Sequence, residues 1–208
     1  MLVIGLTGSI GMGKSAAAQY LAEHGLPVFD ADAEVHRLYE GRAVPAIAQA
    51  FPSAVGDGKV DRGVLAKEVA GSTEKLKRLE SIVHPMVTKA EIDFVREQEK
   101  RGAKIAVLEI PLLFETGAEA RVDVTIVLSA PPEVQKARAL ARPGMTDAKL
   151  QALLKRQLPD EVKRARADYV VDSGTSLEDM RAQIGKILES LEGRKGRVME
   201  RLRHGKEA

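Results

Sequence analysis

The 208-residue chain has no cysteine, so no disulfide staples it and no thiolate binds a metal. It has no asparagine and no tryptophan. No apolar run approaches the roughly 18 residues that cross a bilayer. A formal net charge of only +2 gives the whole molecule no strong pull on nucleic acid or anionic membrane, and neither partner is expected. Any cationic site must be local. No basic leader precedes the first apolar run, so a cytoplasmic location is expected. Charged residues make up 30% and hydrophobic ones 44%, an ordinary balance for one main domain with room for insertions.

Short β-rich runs alternate with helical stretches. The runs are Leu2–Thr7, Pro27–Phe29, Ile105–Glu109, Val124–Leu128 and Tyr169–Val171. They are nearly continuous in apolar character, as strands buried on both faces of a parallel sheet are. An α/β fold with right-handed crossovers follows. Two intervals exceed a simple crossover. Residues 33–104 read as a mostly helical inserted domain, broken near Pro52–Gly58 and at His84–Pro85. Residues 131–166 read as helical and carry nine lysines and arginines against four acids. Ser176–Glu192 reads as the last helix, with Leu177, Met180, Ile184, Leu188 and Leu191 on one face. Residues 193–208 read as a frayed basic tail.

Gly8-Ser9-Ile10-Gly11-Met12-Gly13-Lys14-Ser15 matches the pattern G-x-x-x-x-G-K-[ST], with a strand before it and a helix after it. Glycines let the backbone curl until several N–H groups converge on one anion. The helix N-terminus adds unpaired N–H groups and the positive end of its dipole. Lys14 supplies a point charge to the outer phosphates, and the Ser15 hydroxyl is placed to ligate Mg²⁺. Gly8, Gly11, Met12, Gly13, Lys14, Ser15 and Ala16 are therefore expected to bind the phosphates of a nucleotide. The missing asparagine excludes the N-K-x-D guanine motif of a GTPase switch. A motor ATPase would end its third strand in Asp-Glu, whereas here Glu109-Ile110-Pro111 follows. A small-molecule kinase fits best; a non-catalytic ATP-sensing module remains the alternative outside enzymes.

Asp30 and Asp32 flank Ala31 at the end of the second strand. In extended backbone both carboxylates face one side, at the sheet edge where ligands bind. Such a pair accepts a hydroxyl proton and orders Mg²⁺-bound water. The competing reading makes Asp32 the cap of a helix starting near Ala33.

Five stretches in order, "GLTGSIGMGKS", "VFDADAEVHRLY", "LESIVHPMV", "EIPLLFE" and "ADYVVDSGT", resemble the dephospho-coenzyme A kinase family from about Leu2 to Thr175. The resemblance implies a three-layer P-loop fold around a mostly parallel five-stranded sheet. Residues 1–32 and 105–208 would form the nucleotide-binding core, 33–104 the acceptor domain and 131–166 a lid. It implies ATP and Mg²⁺, with phosphoryl transfer to the ribose 3′-hydroxyl of dephospho-CoA. Asp32 would be the base, with Lys14 and Arg142 also catalytic. Arg138 and Arg142 would clamp the ATP phosphates. Asp30, Asp32, His84, Pro111, Leu112 and Leu113 would contact the acceptor. Glu115 reads as a surface acid. The chain departs from the family at Ala16, where Thr is usual, and at Ser173, where Asn is usual. A nucleoside or nucleotide monophosphate kinase shares the loop and lid and stays open as an alternative. The molecule is expected to be a monomer or weak homo-oligomer.

Overall fold

The computed structural model describes residues 1–203. In chain order its elements are β1 (Leu2–Thr7), α1 (Lys14–Glu23), β2 (Val28–Asp30), α2 (Ala31–Tyr39), α3 (Val44–Ala50), β3 (Val55–Gly56), β4 (Lys59–Val60), α4 (Arg62–Val69) and α5 (Thr73–Lys100). There follow β5 (Ile105–Glu109), β6 (Val124–Ser129), α6 (Pro132–Leu140), α7 (Asp147–Leu154), α8 (Asp160–Arg166), β7 (Tyr169–Asp172), α9 (Leu177–Ser190) and α10 (Val198–Arg203). The chain divides into two compact units, Met1–Phe29 with the chain from Val95 on, and Asp30–Phe94.

In the first unit the sheet runs in the order β2-β5-β1-β6-β7. β1 pairs in parallel with both β5 and β6, and β6 in parallel with β7. Every residue of β1 and β6 is buried, which explains their unbroken apolar runs: no position on a doubly covered strand can be polar without a partner. The chain leaves β1 toward one side of the sheet and returns to β6 on the other, so the loop after β1 sits where the strand order reverses, the ligand-binding edge of such sheets.

Helices cover this sheet through Ala17, Leu21, Met180, Ile184 and Leu191. On α9 the buried residues are Met180, Ile184 and Ile187, while Leu177 is 51% exposed. The apolar face is thus completed by Ile187 rather than by Leu177, which lies in the solvated first turn next to the Ser176 cap.

The tail expectation also needs correction. Residues 198–203 are helical, and Val198 and Met199 are buried. Asp123 holds this segment, with Oδ1 accepting from Arg197 N and Val198 N at 2.6 and 3.0 Å while Oδ2 accepts from Val3 N at 2.9 Å. The last five residues of the expected tail lie outside the described residues.

Interval 131–166 is not a uniform lid. α8 is docked on the sheet. Lys163 has no exposed surface, and Ser129 Oγ donates to Asp160 Oδ2 at 2.6 Å. A basic helix reads as solvated only while its cations reach water, and Lys163 instead turns inward to Glu115.

The second unit has its own core, built around Leu38, Ile47, Phe51, Leu65, Leu79 and Val83. It is not wholly helical, since β3 and β4 pair antiparallel across Asp57-Gly58, both with positive φ, the conformation that tight hairpin turns require. α5 is one helix of 28 residues with Pro85 inside it, so the expected break at His84–Pro85 does not occur. Pro85 removes one N–H from the helix ladder, but the affected turn is exposed at Ser81 and Pro85, where water serves the freed carbonyl. Burial of Leu79 and Val83 holds the helix through it. Because α5 continues to Lys100, the unit boundary falls within a helix at Phe94 rather than at residue 104. Among the described residues no helix is long and apolar enough to cross a membrane.

Candidate active site

The loop between β1 and α1 is shaped by close approach of backbones. A Cβ on Gly8 would stand 2.6 Å from the Leu128 carbonyl oxygen, and one on Gly11 2.6 Å from that of Gln135. Neither neighbour is a movable side-chain tip, and Gly11 also has φ of +79°, so any other residue is excluded on two counts. α1 then starts with no side-chain cap and no acid in its first turn. α2 and α9, by contrast, each carry two acids there. No acid of its own first turn offsets the positive end of α1, which favours an anion there. Lys14 is half-buried and the Ser15 hydroxyl lies at an exposed position.

Met12 is fastened at backbone and side chain. Its N–H donates to Ser9 O at 3.1 Å. Its Sδ accepts from Ala130 N at 3.1 Å, and its side chain is buried. It anchors the loop to the end of β6. Ala16 packs partly against the core, a position where a methyl group serves.

Ser173 is buried, with Oγ 2.9 Å from the Met12 carbonyl and 3.1 Å from the Ser129 carbonyl. Its one hydroxyl proton is shared between them, and it ties the phosphate loop to β6. Arg138 reaches the same place. A Cβ on Gly13 would be 3.4 Å from Ser173 Oγ and 3.9 Å from Arg138 Nη1. Arg142 is exposed in the turn after α6, where its N–H donates to Ala139 O and its carbonyl accepts from Met145 N.

Glu109 was not singled out by sequence. It is the last residue of β5, paired in register with Leu6, and is only 8% exposed. Ile110 N donates to Leu6 O at 3.0 Å, and Thr7 Oγ1 to Pro111 O at 3.3 Å. A carboxylate therefore stands at the strand end beside β1. The signal was present in "IAVLE", an apolar strand ending in an acid, once β5 is placed next to β1. Pro111 and Leu112 are half-buried. Leu113 is fully buried and packs beneath Gly5, whose added Cβ would lie 3.2 Å from Leu113 Cδ2. Leu113 is part of the core.

A cleft of about 530 Å³ lies near α6 and α8, lined in part by Met12, Gln135, Asp160, Glu161, Arg164 and Asp172. Its three carboxylates make it unsuited to a triphosphate.

In the second unit, Asp30 caps α2, its Oδ1 accepting from Ala33 N at 2.9 Å. The helix begins at Ala31. The two aspartates therefore do not share one extended face: Asp30 is the cap, and Asp32 stands in the first helical turn with its carboxylate exposed. The cap that the competing reading gave to Asp32 is Asp30, because helical backbone begins two residues earlier than Ala33. His84 is exposed on α5.

A family model described as dephospho-CoA kinase matches residues 2–179. The chain belongs to the dephospho-CoA kinase family. It is 56% identical to the dephospho-CoA kinase of Brucella melitensis over 194 residues, covering 93% of this chain and 97% of that one. Among solved structures, TT1252 from Thermus thermophilus is 39% identical with a TM-score of 0.81, covering 92% of this chain and 98% of that one. The dephospho-CoA kinase from Campylobacter jejuni, 22% identical, shares the fold with a TM-score of 0.64 over 91% of this chain and 96% of that one. As a family member the chain is an enzyme, a P-loop kinase of coenzyme A biosynthesis that uses ATP. Of the two arginines expected in the lid, Arg138 stands beside Gly13 of the loop.

Proposed function

We propose that this chain transfers the γ-phosphoryl group of ATP to the ribose 3′-hydroxyl of dephospho-CoA, giving coenzyme A and ADP, and that the residues above divide the work as follows. The observation that carries the reading is a glycine-shaped loop ending in an acid-free helix N-terminus, with Arg138 beside Gly13. These are the groups a triphosphate requires. Lys14 and the first amides of α1 hold the β- and γ-phosphates. Arg138 adds charge at the loop, and Arg142 joins when the turn after α6 moves inward.

In the reaction the 3′-oxygen bonds to the γ-phosphorus while the bond to the bridging oxygen breaks, leaving its electron pair on ADP. The exposed carboxylate of Asp32 takes the hydroxyl proton. Pro111 and Leu112, with Asp30 and His84, contact the acceptor.

Mg²⁺ fits the donor set. Among the described residues no cluster of three or more histidines or carboxylates could cage a metal, and Mg²⁺ is usually held by one or two protein oxygens together with phosphates and water. The Ser15 hydroxyl would hold it. When bound it neutralises charge developing on the phosphate oxygens. The enzyme is taken as cytoplasmic, acting as a monomer or weak homo-oligomer without nucleic-acid or membrane partners. The modest net charge of +2 supports this.

The test is ADP release with ATP and a panel of acceptors, followed by the mass of the product. Turnover with dephospho-CoA and a mass gain of one phosphate are expected. Turnover only with nucleoside monophosphates would move the chain to the nucleotide kinases, and no turnover with any acceptor would make it a nucleotide sensor.

A further inference from the structure

Ile10 sits at the apex of the phosphate loop, and side chains from two other elements hold both ends of its polar backbone. Its N–H donates to Gln157 Oε1 at 3.1 Å. Its carbonyl accepts from Gln135 Nε2 at 2.9 Å. The partners fix the amide orientations: Oε1 must face the donor and Nε2 the acceptor.

Both glutamines are themselves fastened. Gln135 lies in α6, its N–H bonded to Pro131 O, and its own carbonyl abuts Gly11. Gln157 follows α7, its N–H bonded to Leu154 O. The next amide, Leu158 N, donates at 2.8 Å to Glu115 Oε1, which also pairs with the buried Lys163. Neither glutamine is fully exposed, so water competes weakly for these bonds.

We propose that Gln135 and Gln157 are positioning residues that clamp the Ile10 peptide and hold the loop in its phosphate-binding shape before ATP arrives. A loop ordered in advance loses less entropy on binding than a slack one. The inference rests on reading residues 8–15 as the phosphate loop and does not depend on the acceptor.

The test is ATP binding by calorimetry, with no acceptor present, on the full chain. Losing one such bond corresponds to roughly a 2- to 12-fold change. Gln157→Leu should weaken ATP binding by about 5-fold. Gln157→Glu should bind nearly as wild type, because a carboxylate oxygen also accepts from Ile10 N–H. Gln135→Glu should bind as poorly as Gln157→Leu, because its oxygen faces the Ile10 carbonyl and cannot donate. A merely structural role would not separate Glu at 157 from Glu at 135. Thermal unfolding of each variant checks that it is folded; should Gln157→Leu not fold, the comparison of the two Glu variants decides alone. Equal affinities for the two Glu variants, or wild-type affinity in Gln157→Leu, would overturn the clamp. Lys14→Ala serves as the control for the loop itself: weakened ATP binding supports the loop reading, and unchanged binding would remove that reading and the clamp with it.

Discussion

Lys163 Nζ stands 2.8 Å from Glu115 Oε1, with the lysine side chain fully shielded from water and the glutamate 12% exposed. Glu115 Oε2 finds no hydrogen-bond partner. Among the described residues Lys163 Nζ likewise makes no hydrogen bond of good geometry, so the pair is an ion contact between two groups that lost most of their hydration; its net contribution is small while the cost of breaking it is large. Glu115→Gln keeps an acceptor for Leu158 N–H but leaves the lysine charge alone. It should destabilise the protein by about 3–5 kcal/mol. Adding Lys163→Met should recover most of that loss. Urea unfolding of the single and double variants measures both. If the double variant is no more stable than Glu115→Gln, the damage comes from lost packing and not from a stranded charge.

Asp30 and Asp32 should separate cleanly. Asp30→Ala removes the α2 cap and should cost about 0.5–2 kcal/mol of stability. Asp32→Asn leaves that cap intact, so stability should stay within about 0.5 kcal/mol, and ATP affinity should hold. Turnover should collapse, because the amide no longer accepts a proton. Normal turnover of Asp32→Asn with weakened ATP binding would make Asp32 a binding residue only.

Lys14→Ala should lower turnover by on the order of 10²–10³ while the protein stays folded. It removes one fixed cation from the developing phosphoryl charge, and single stabilisers of this kind contribute that much. Far-UV circular dichroism and unfolding report the fold, and ADP release reports the rate. A folded variant with near-wild-type turnover would contradict the assignment of the loop.

The sheet was legible because the buried strands β1 and β6 are nearly continuous in apolar character, and their boundaries fell within a residue of expectation. The phosphate loop was legible because its glycines answer local backbone demands. What sequence did not reveal were contacts that depend on a partner distant in the chain. Lys163 looked like one cation in a basic run, and Glu115 like a surface acid. Only the docking of α8 brings them together. Glu109 was overlooked because its meaning comes from standing beside Leu6, a relation that pairing creates. The Asp30–Asp32 geometry was misread for a local reason: a helix start two residues earlier than expected puts Asp32 under period 3.6 instead of period 2. The Asp57-Gly58 turn signal of the β3–β4 hairpin was present in the sequence, but strands of two residues each give no alternation to read.

Arg138 and Arg142 should fail differently. The Arg138 guanidinium already lies near Gly13, so it meets the phosphates of bound ATP in the ground state as well as later. Arg138→Ala should therefore weaken ATP binding, and the loss should appear in KM for ATP. Arg142 is exposed. It lies just before Pro143-Gly144, where Gly144 has φ of +70° and the chain turns into α7, a place where backbone rotation is easy. An arginine that meets the phosphates only after this turn closes stabilises the reacting state more than the resting one. Arg142→Ala should therefore leave KM for ATP nearly unchanged and lower the catalytic constant at saturating ATP and dephospho-CoA. ATP hydrolysis without acceptor should rise, because an imperfect lid admits water. A surface arginine with no such role would change stability by no more than about 0.5 kcal/mol and leave the rates alone. Steady-state kinetics with both substrates varied separates these outcomes. An unchanged catalytic constant in Arg142→Ala would take Arg142 out of the site and leave Arg138 as the lid's contribution to phosphate binding.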